Sequence, residues 1–150
     1  MRFQFGSVIL AGGESKRFGV FKPAVKLLGK PLIHYVVDAL IPISSKIIIV
    51  VRNSIQKAII EKLLDGLDLS KIEFTYDVVD VVGILAGIKA GLLSSRESAV
   101  FITGCDLPLI SSKVVELIMS ELYTSGVDAV VPIWKNGFIE PLYAGYFVSK

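Results

Sequence analysis

Apolar and polar positions along the chain switch between two periods. Short unbroken apolar runs, several rich in β-branched residues, are separated by segments of about ten residues whose apolar positions recur at helical spacing. Phe3 to Leu10 ends in Val8-Ile9-Leu10 and predicts a strand that stops at Gly12-Gly13. Pro31 to Leu40 predicts a helix, with proline in its first position and Leu32, Tyr35, Val36 and Ala39 on one face. Lys46 to Val51 predicts a β-branched strand. Asn53 or Ser54 caps the following helix, whose Ile55, Ile59, Ile60 and Leu63 point inward. Ile72 to Tyr76 predicts a third strand, Ile84 to Leu93 a helix of small residues, and Ala99 to Thr103 a strand ending at Gly104-Cys105-Asp106. Ser111 or Ser112 opens a helix carrying Val114, Val115, Ile118 and Leu122, closed by Gly126. Val127 to Val131 and Ile139 to Val148 predict the last strands, with Asn136-Gly137 as the hairpin turn between them.

Strands alternating with helices of this length predict βαβ units. The expected fold class is therefore α/β: a three-layer, Rossmann-like arrangement with a mostly parallel sheet, helices on both faces and an antiparallel C-terminal hairpin. Continuous apolar runs are what a sheet buried on both sides requires. The 150 residues show no linker, internal repeat or low-complexity stretch, so residues 1–150 are expected to form a single domain.

Composition sharpens this picture. With 53% hydrophobic and 20% charged residues the chain is too apolar for disorder. A mean hydropathy of +0.66 raises the question of a membrane. The longest charge-free run, Phe3 to Gly13, has eleven residues, against about 20 for a spanning helix. Sixteen basic and 14 acidic residues give a net charge of +2, too small and too evenly spread for a nucleic-acid or membrane-surface partner. One cysteine, Cys105, and one histidine, His34, exclude a disulfide framework and a Cys/His zinc site. No secretory signal pattern is present, and the expected compartment is cytoplasmic.

In an open parallel sheet, ligands bind beyond the carboxyl ends of the strands. The loop after the first strand carries Gly12-Gly13, whose backbone can approach an anion, and Arg17 and Lys22, whose charges suit phosphate oxygens. It matches neither the G-x-G-x-x-G dinucleotide fingerprint nor the P-loop. Asp106 follows an apolar strand, which predicts a carboxylate at the binding edge.

Leu10-Ala11-Gly12-Gly13, followed by Ser15, Arg17, Phe18-Gly19, Lys22-Pro23 and Gly29-Lys30-Pro31-Leu32, resembles the signature of the nucleotidyltransferases of glycosyltransferase-A-like fold. The resemblance is greatest to the molybdenum cofactor guanylyltransferases, the MobA family, because Gly13 stands where cytidine-using relatives often carry alanine. Gly83-Ile84-Leu85-Ala86-Gly87, Gly104 to Ile110 and Glu140-Pro141-Leu142-Tyr143 are similar to three later family segments, in the family's order.

The resemblance implies transfer of GMP from GTP to the phosphate of molybdenum-bound molybdopterin, with release of pyrophosphate and Mg²⁺ as cofactor. It implies a catalytic set of Lys22, Arg17 and Asp106, with Lys22 stabilising the transition state, Arg17 on the β- and γ-phosphates and Asp106 as metal ligand. Leu10, Ala11, Gly12, Gly13 and Gly83 are implied in nucleotide binding. So is Asp77, the match to an acidic residue near the nucleoside, with Asp80 as its competitor. Phe21 departs from the family, which usually has aspartate there, and no asparagine aligns between Val50 and Arg52 where some relatives face guanine with one. Cys105 reads as a small buried filler and His34 as a partly buried structural residue. Family members usually continue beyond the last strand, so the expected domain lacks the family's C-terminal tail; a monomer is expected. Other readings remain: a guanylyl- or cytidylyltransferase acting on a different phosphate acceptor such as adenosylcobinamide phosphate, or a nucleotide-binding module without turnover.

Overall fold

The computed structural model describes residues 3–13 and 19–148. In chain order its elements are β1 (Gly6–Leu10), β2 (Lys26–Leu27), β3 (Lys30–Pro31), α1 (Leu32–Leu40), β4 (Ile47–Val51), α2 (Ser54–Leu63), β5 (Ile72–Tyr76), α3 (Ile84–Ser94), β6 (Ala99–Gly104), α4 (Ser112–Ser125), β7 (Ala129–Val130) and β8 (Tyr143–Phe147). Six strands form the main sheet in the order β5-β4-β1-β6-β8-β7. The pairs from β5 to β6 are parallel, and β8 runs antiparallel to both β6 and β7. The α/β alternation of the sequence thus gives the expected mixed sheet, parallel through its centre and antiparallel at its C-terminal side.

Side chains that alternate along the central strands feed two separate cores. Ile9, Ile47, Ile49, Val51 and Phe101 face one side, where α1, α2 and α4 cover them with Ile33, Val37, Ile60, Val115 and Leu122. Val8, Ile48, Val50, Val100 and Ile102 face the other, against Ala90 of α3. Each fully buried aliphatic side chain contributes about 1.5–3 kcal/mol, so the thicker face dominates stability. On the thinner face α3 lies close to β1, since a Cβ at Gly91 would collide with Val8 Cγ1. Among the described residues no helix is long and apolar enough to cross a membrane.

The helix faces differ from the expectation. On α1 the buried residues are Ile33, Val36, Val37 and Leu40, so of the expected face only Val36 is buried, while Leu32, Tyr35 and Ala39 are partly exposed. The cause is the small β2–β3 hairpin, absent from the sequence reading, which turns through Leu28 (φ +50°) and Gly29 (φ +80°). Two successive positive φ angles are the geometry of a two-residue hairpin turn. Leu32 N–H donates to Val25 O at 2.8 Å and Tyr35 Oη–H to Leu27 O at 2.8 Å, so this side of α1 holds the hairpin. Pro31 accordingly ends β3 and caps the helix instead of starting it.

Ile55 of α2 and Val114 of α4 are exposed, while Ile60, Val115, Ile118, Met119 and Leu122 are buried. Asn53 is the cap that α2 uses, accepting from Gln56 N–H at 2.9 Å. Gly126 closes α4 in the left-handed conformation. The terminal strands are shorter than expected, at Ala129–Val130 and Tyr143–Phe147. The Asn136-Gly137 turn is present, but its arm is held by a single bridge between Ile133 and Ile139 and by Trp134 Nε1–H donating to Glu140 Oε1 at 2.7 Å.

Candidate active site

Parallel pairing brings the ends of β1, β4, β5 and β6 to one edge, and the antiparallel β8 begins there too. Their loops and the start of α3 enclose a cleft of about 540 Å³. Of the residues singled out in the sequence, Leu10, Ala11, Gly12, Gly13, Lys22, Asp77, Gly83 and Asp106 all line it. Arg17 lies outside the described residues.

One end of the cleft is polar and wet. Lys22 opens a short 3-10 turn, Lys22–Ala24, anchored by the buried Pro23. Its Nζ lies 3.3 Å from Asp106 Oδ2, with 47% of the lysine and 43% of the aspartate side chain exposed. Gly104 permits the turn that carries Asp106, since a Cβ there would sit 2.8 Å from Asp106 Oδ1. Phe21, the departure from the family pattern, packs half-buried against the core. It fixes the start of the turn by burial, where an aspartate would have to act by charge. Among the described residues no group of three or more His, Cys, Asp or Glu side chains could hold a metal alone. One exposed hard-oxygen carboxylate does fit Mg²⁺, which usually takes one or two carboxylates and completes its shell with phosphate and water.

The other end is tighter. Asp77 N–H donates to Val51 O at 3.0 Å, which carries the β4–β5 pairing one residue further. A Cβ at Gly12 would lie 2.8 Å from Asp77 Oδ2, 3.2 Å from Arg52 N and 3.3 Å from Val51 C. A Cβ at Gly87 would lie 3.2 Å from Asp77 Oδ1. Glycine at these two positions lets three loops and α3 converge on one carboxylate. Burial pushes the Asp77 carboxyl above its ordinary value, and the nearby Arg52 charge offsets part of that. Asp80, its competitor, points instead to Lys89 of α3, whose hydrogen bond holds its carboxyl below the usual range. Gly83 (φ +75°, ψ −152°) takes a conformation essentially reserved for glycine and turns the chain into α3 at the cleft wall.

Gly13 has nothing within 4 Å of where a Cβ would stand. Cys105 is buried, and burial, helped by the Asp106 charge, pushes its thiol up to about 12. Such a thiol stays protonated and is no nucleophile. His34 is half-buried on α1, away from the cleft.

Arg52, Gly87 and Leu142 also line the cleft; the sequence places them only within longer segments and gives none of them a site role of its own. Arg52 could have been found by position alone, because it is the residue that follows the apolar run Ile47–Val51.

A probable molybdenum cofactor guanylyltransferase from Methanosarcina mazei is 32% identical over 141 residues, covering 93% of this chain and 62% of that protein. One from Thermococcus gammatolerans is 37% identical over 141 residues, covering 92% of this chain and 67% of that protein. The chain thus spans 62–67% of the length of these relatives. Among solved structures, molybdopterin-guanine dinucleotide biosynthesis protein A from Archaeoglobus fulgidus superposes with a TM-score of 0.75 at 29% identity, covering 95% of this chain and 67% of that one. The 4-diphosphocytidyl-2C-methyl-D-erythritol synthase of Anaerococcus prevotii, at TM-score 0.71 and 16% identity, shares the fold. The sequence pattern of the MobA-like NTP transferase domain matches residues 7–150, which takes in every strand of the sheet except the first residue of β1, Gly6, and every wall of the cleft, and the chain belongs to that family.

Proposed function

We propose that this domain transfers GMP from GTP to the phosphate of molybdenum-bound molybdopterin and releases pyrophosphate. The observation that carries the reading is the meeting of Lys22 and Asp106, 84 residues apart in sequence, at one end of a cleft whose other end closes on Asp77. The relatives named molybdenum cofactor guanylyltransferase support the choice of nucleotide and acceptor.

The acceptor phosphate is already ionised, so the reaction needs no general base. Its demands are to suppress repulsion between two anions, align the attack on the α-phosphate and stabilise the leaving pyrophosphate. Lys22 sits where it can turn from Asp106 toward the polyphosphate, and its exposed ion pair costs little to open. The backbone of Leu10 to Gly13 holds the nucleotide along β1, with Gly12 allowing the close approach. Asp106 would hold the divalent cation, which supplies charge neutralisation to the triphosphate when bound. Cys105 remains a protonated wall residue.

The test is exchange of radiolabelled pyrophosphate into nucleoside triphosphate, with Mg²⁺ and the molybdopterin acceptor supplied. Exchange into GTP is the expected result. GTP binding without exchange would reduce the domain to a nucleotide-binding module, and exchange with CTP in preference to GTP would make it a cytidylyltransferase.

A further inference from the structure

The helices divide unequally between the two faces of the sheet: α1, α2 and α4 pack on one core, and α3 packs on the other. Each of the first three carries an aspartate or glutamate, whereas α3 has none and Lys89 is its single charged residue. A helix that is apolar all round is ordinarily buried all round. α3 is buried on one side only. Its small residues Ala86, Gly87, Ala90 and Gly91 are buried, while Leu85 and Leu93 are 61% and 72% exposed. With Lys89 between them, these leucines form a ridge at i, i+4 and i+8. The loop that leads into the helix leans on the same ridge, since Lys89 Nζ donates to Asp80 Oδ2. That loop brings Val79 and Val82, both almost wholly exposed, and the half-exposed Ile84 opens the helix.

Charge, area and symmetry together specify what covers this surface. The Lys89–Asp80 ion pair leaves the patch without net charge, so nothing there steers an acidic or a basic partner. Val79, Val82, Ile84, Leu85 and Leu93 leave roughly 450 Å² of apolar surface open. Protein–protein contacts are about 57% apolar, so this corresponds to a face of roughly 800 Å² per partner, the size of a standard stable interface. Leu85 and Leu93 stand about 6 Å to either side of Lys89 along the helix axis. A twofold axis through Lys89 therefore sets Leu85 of one copy against Leu93 of the other, and the reverse. Each lysine brings its own aspartate to that axis, so opposite charges meet there. Such a contact is self-complementary and closes at two copies.

We propose that this protein is a homodimer in which α3 and the loop before it pack antiparallel on the same elements of a second copy, in place of the monomer expected from the sequence. Val82 and Ile84 also line the cleft, so each copy backs a wall of the other's site. The proposal is independent of the guanylyltransferase reading.

The test is sedimentation velocity of the 150-residue protein. Wild type, Leu85→Glu, Leu93→Glu and Phe138→Glu are compared at about 1 to 200 μM. Phe138 is exposed on the C-terminal arm, away from α3, and serves as the control. The wild type is expected to dimerise with a micromolar or lower dissociation constant. Because the patch is neutral, that constant should change less than about 3-fold between low and high salt. Leu85→Glu and Leu93→Glu should each raise it more than about 10-fold, since each puts two carboxylates into the apolar contact. Phe138→Glu should behave as the wild type. Both leucines are exposed, so circular dichroism should show the fold unchanged in the two variants.

A wild type that stays monomeric throughout overturns the proposal, as does a dimer that both leucine variants leave intact. Dissociation by Phe138→Glu overturns it too, because it places the arm in the interface. Species that grow beyond the dimer with concentration would reveal a head-to-tail contact rather than a twofold one, and overturn it as well.

Discussion

At the wet end of the cleft, Lys22 and Asp106 face each other across 3.3 Å with almost half of each side chain in water. At the tight end, Asp77 is pressed between Gly12 and Gly87, and burial pushes its carboxyl up. The two ends use charge in different ways. An exposed ion pair contributes only about 0–1 kcal/mol to stability, so Lys22 and Asp106 can exchange each other for a polyphosphate at little cost. The partly desolvated carboxylate is set before any ligand arrives, because three loops and a helix hold it. Chemistry that must rearrange belongs at the first end, and recognition that must discriminate belongs at the second.

The sharpest way to break this comparison is Lys22→Ala. If the wet end acts mainly on departing pyrophosphate, kcat should fall on the order of 100- to 1,000-fold while GTP affinity changes far less. Steady-state kinetics with pyrophosphate release as readout decides it, and an unchanged kcat would remove Lys22 from the mechanism. Asp106→Asn should come next in size. Calorimetric titration should show that Mg²⁺ no longer tightens GTP binding, with the fold intact, since the side chain lies in an exposed turn rather than in the core.

Gly12→Ala tests the other end. Its Cβ would meet Asp77 Oδ2 at 2.8 Å and two backbone atoms at 3.2 and 3.3 Å, and the backbone cannot move as a side-chain tip can. Guanosine affinity should fall about 10-fold, in the range of a small core distortion, while tripolyphosphate affinity stays as it is.

The smallest effect expected is on stability. A carboxyl whose pKa is raised on folding favours the folded state fully below its unfolded value, and that contribution is lost as pH rises through the raised one. At pH 7 the ionised Asp77 therefore opposes folding. Asp77→Asn should raise the Tm at pH 7 by about 1 °C after allowance for solvent screening. The advantage should vanish near pH 3, as the wild-type carboxyl becomes protonated. Calorimetry at the two pH values measures it. A variant less stable than the wild type at pH 7 would show that Asp77 is held by attraction rather than strained by burial.

Much of this architecture is legible before folding is considered. The β-branched runs at Ile47–Val51 and Ala99–Gly104 have room for little but buried strands, and the rule that ligands gather at strand ends picks out Gly12 and Asp106, whereas Asp77 is implied only by the family resemblance, with Asp80 beside it. Helix faces are less legible. From Leu32 to Val37 only His34 interrupts the apolar residues, so periodicity predicts a helix without choosing which side faces inward. The hairpin makes that choice by engaging Leu32 and Tyr35.

The sequence by itself determined the alternation of elements, the two-sided burial of the sheet and the kinds of residue delivered to its edge. These depend on local period and on composition at strand ends, which neighbouring residues specify. Only the tertiary structure decided which of those residues meet. Lys22 reaches Asp106 because β1 and β6 pair in parallel register. Asp77 rather than Asp80 enters the cleft because Lys89 on α3 draws Asp80 aside. Arg52 stands beside Asp77 because β4 and β5 end together. Contacts between strand ends form across the sheet, between residues far apart in the chain, and no local pattern encodes them.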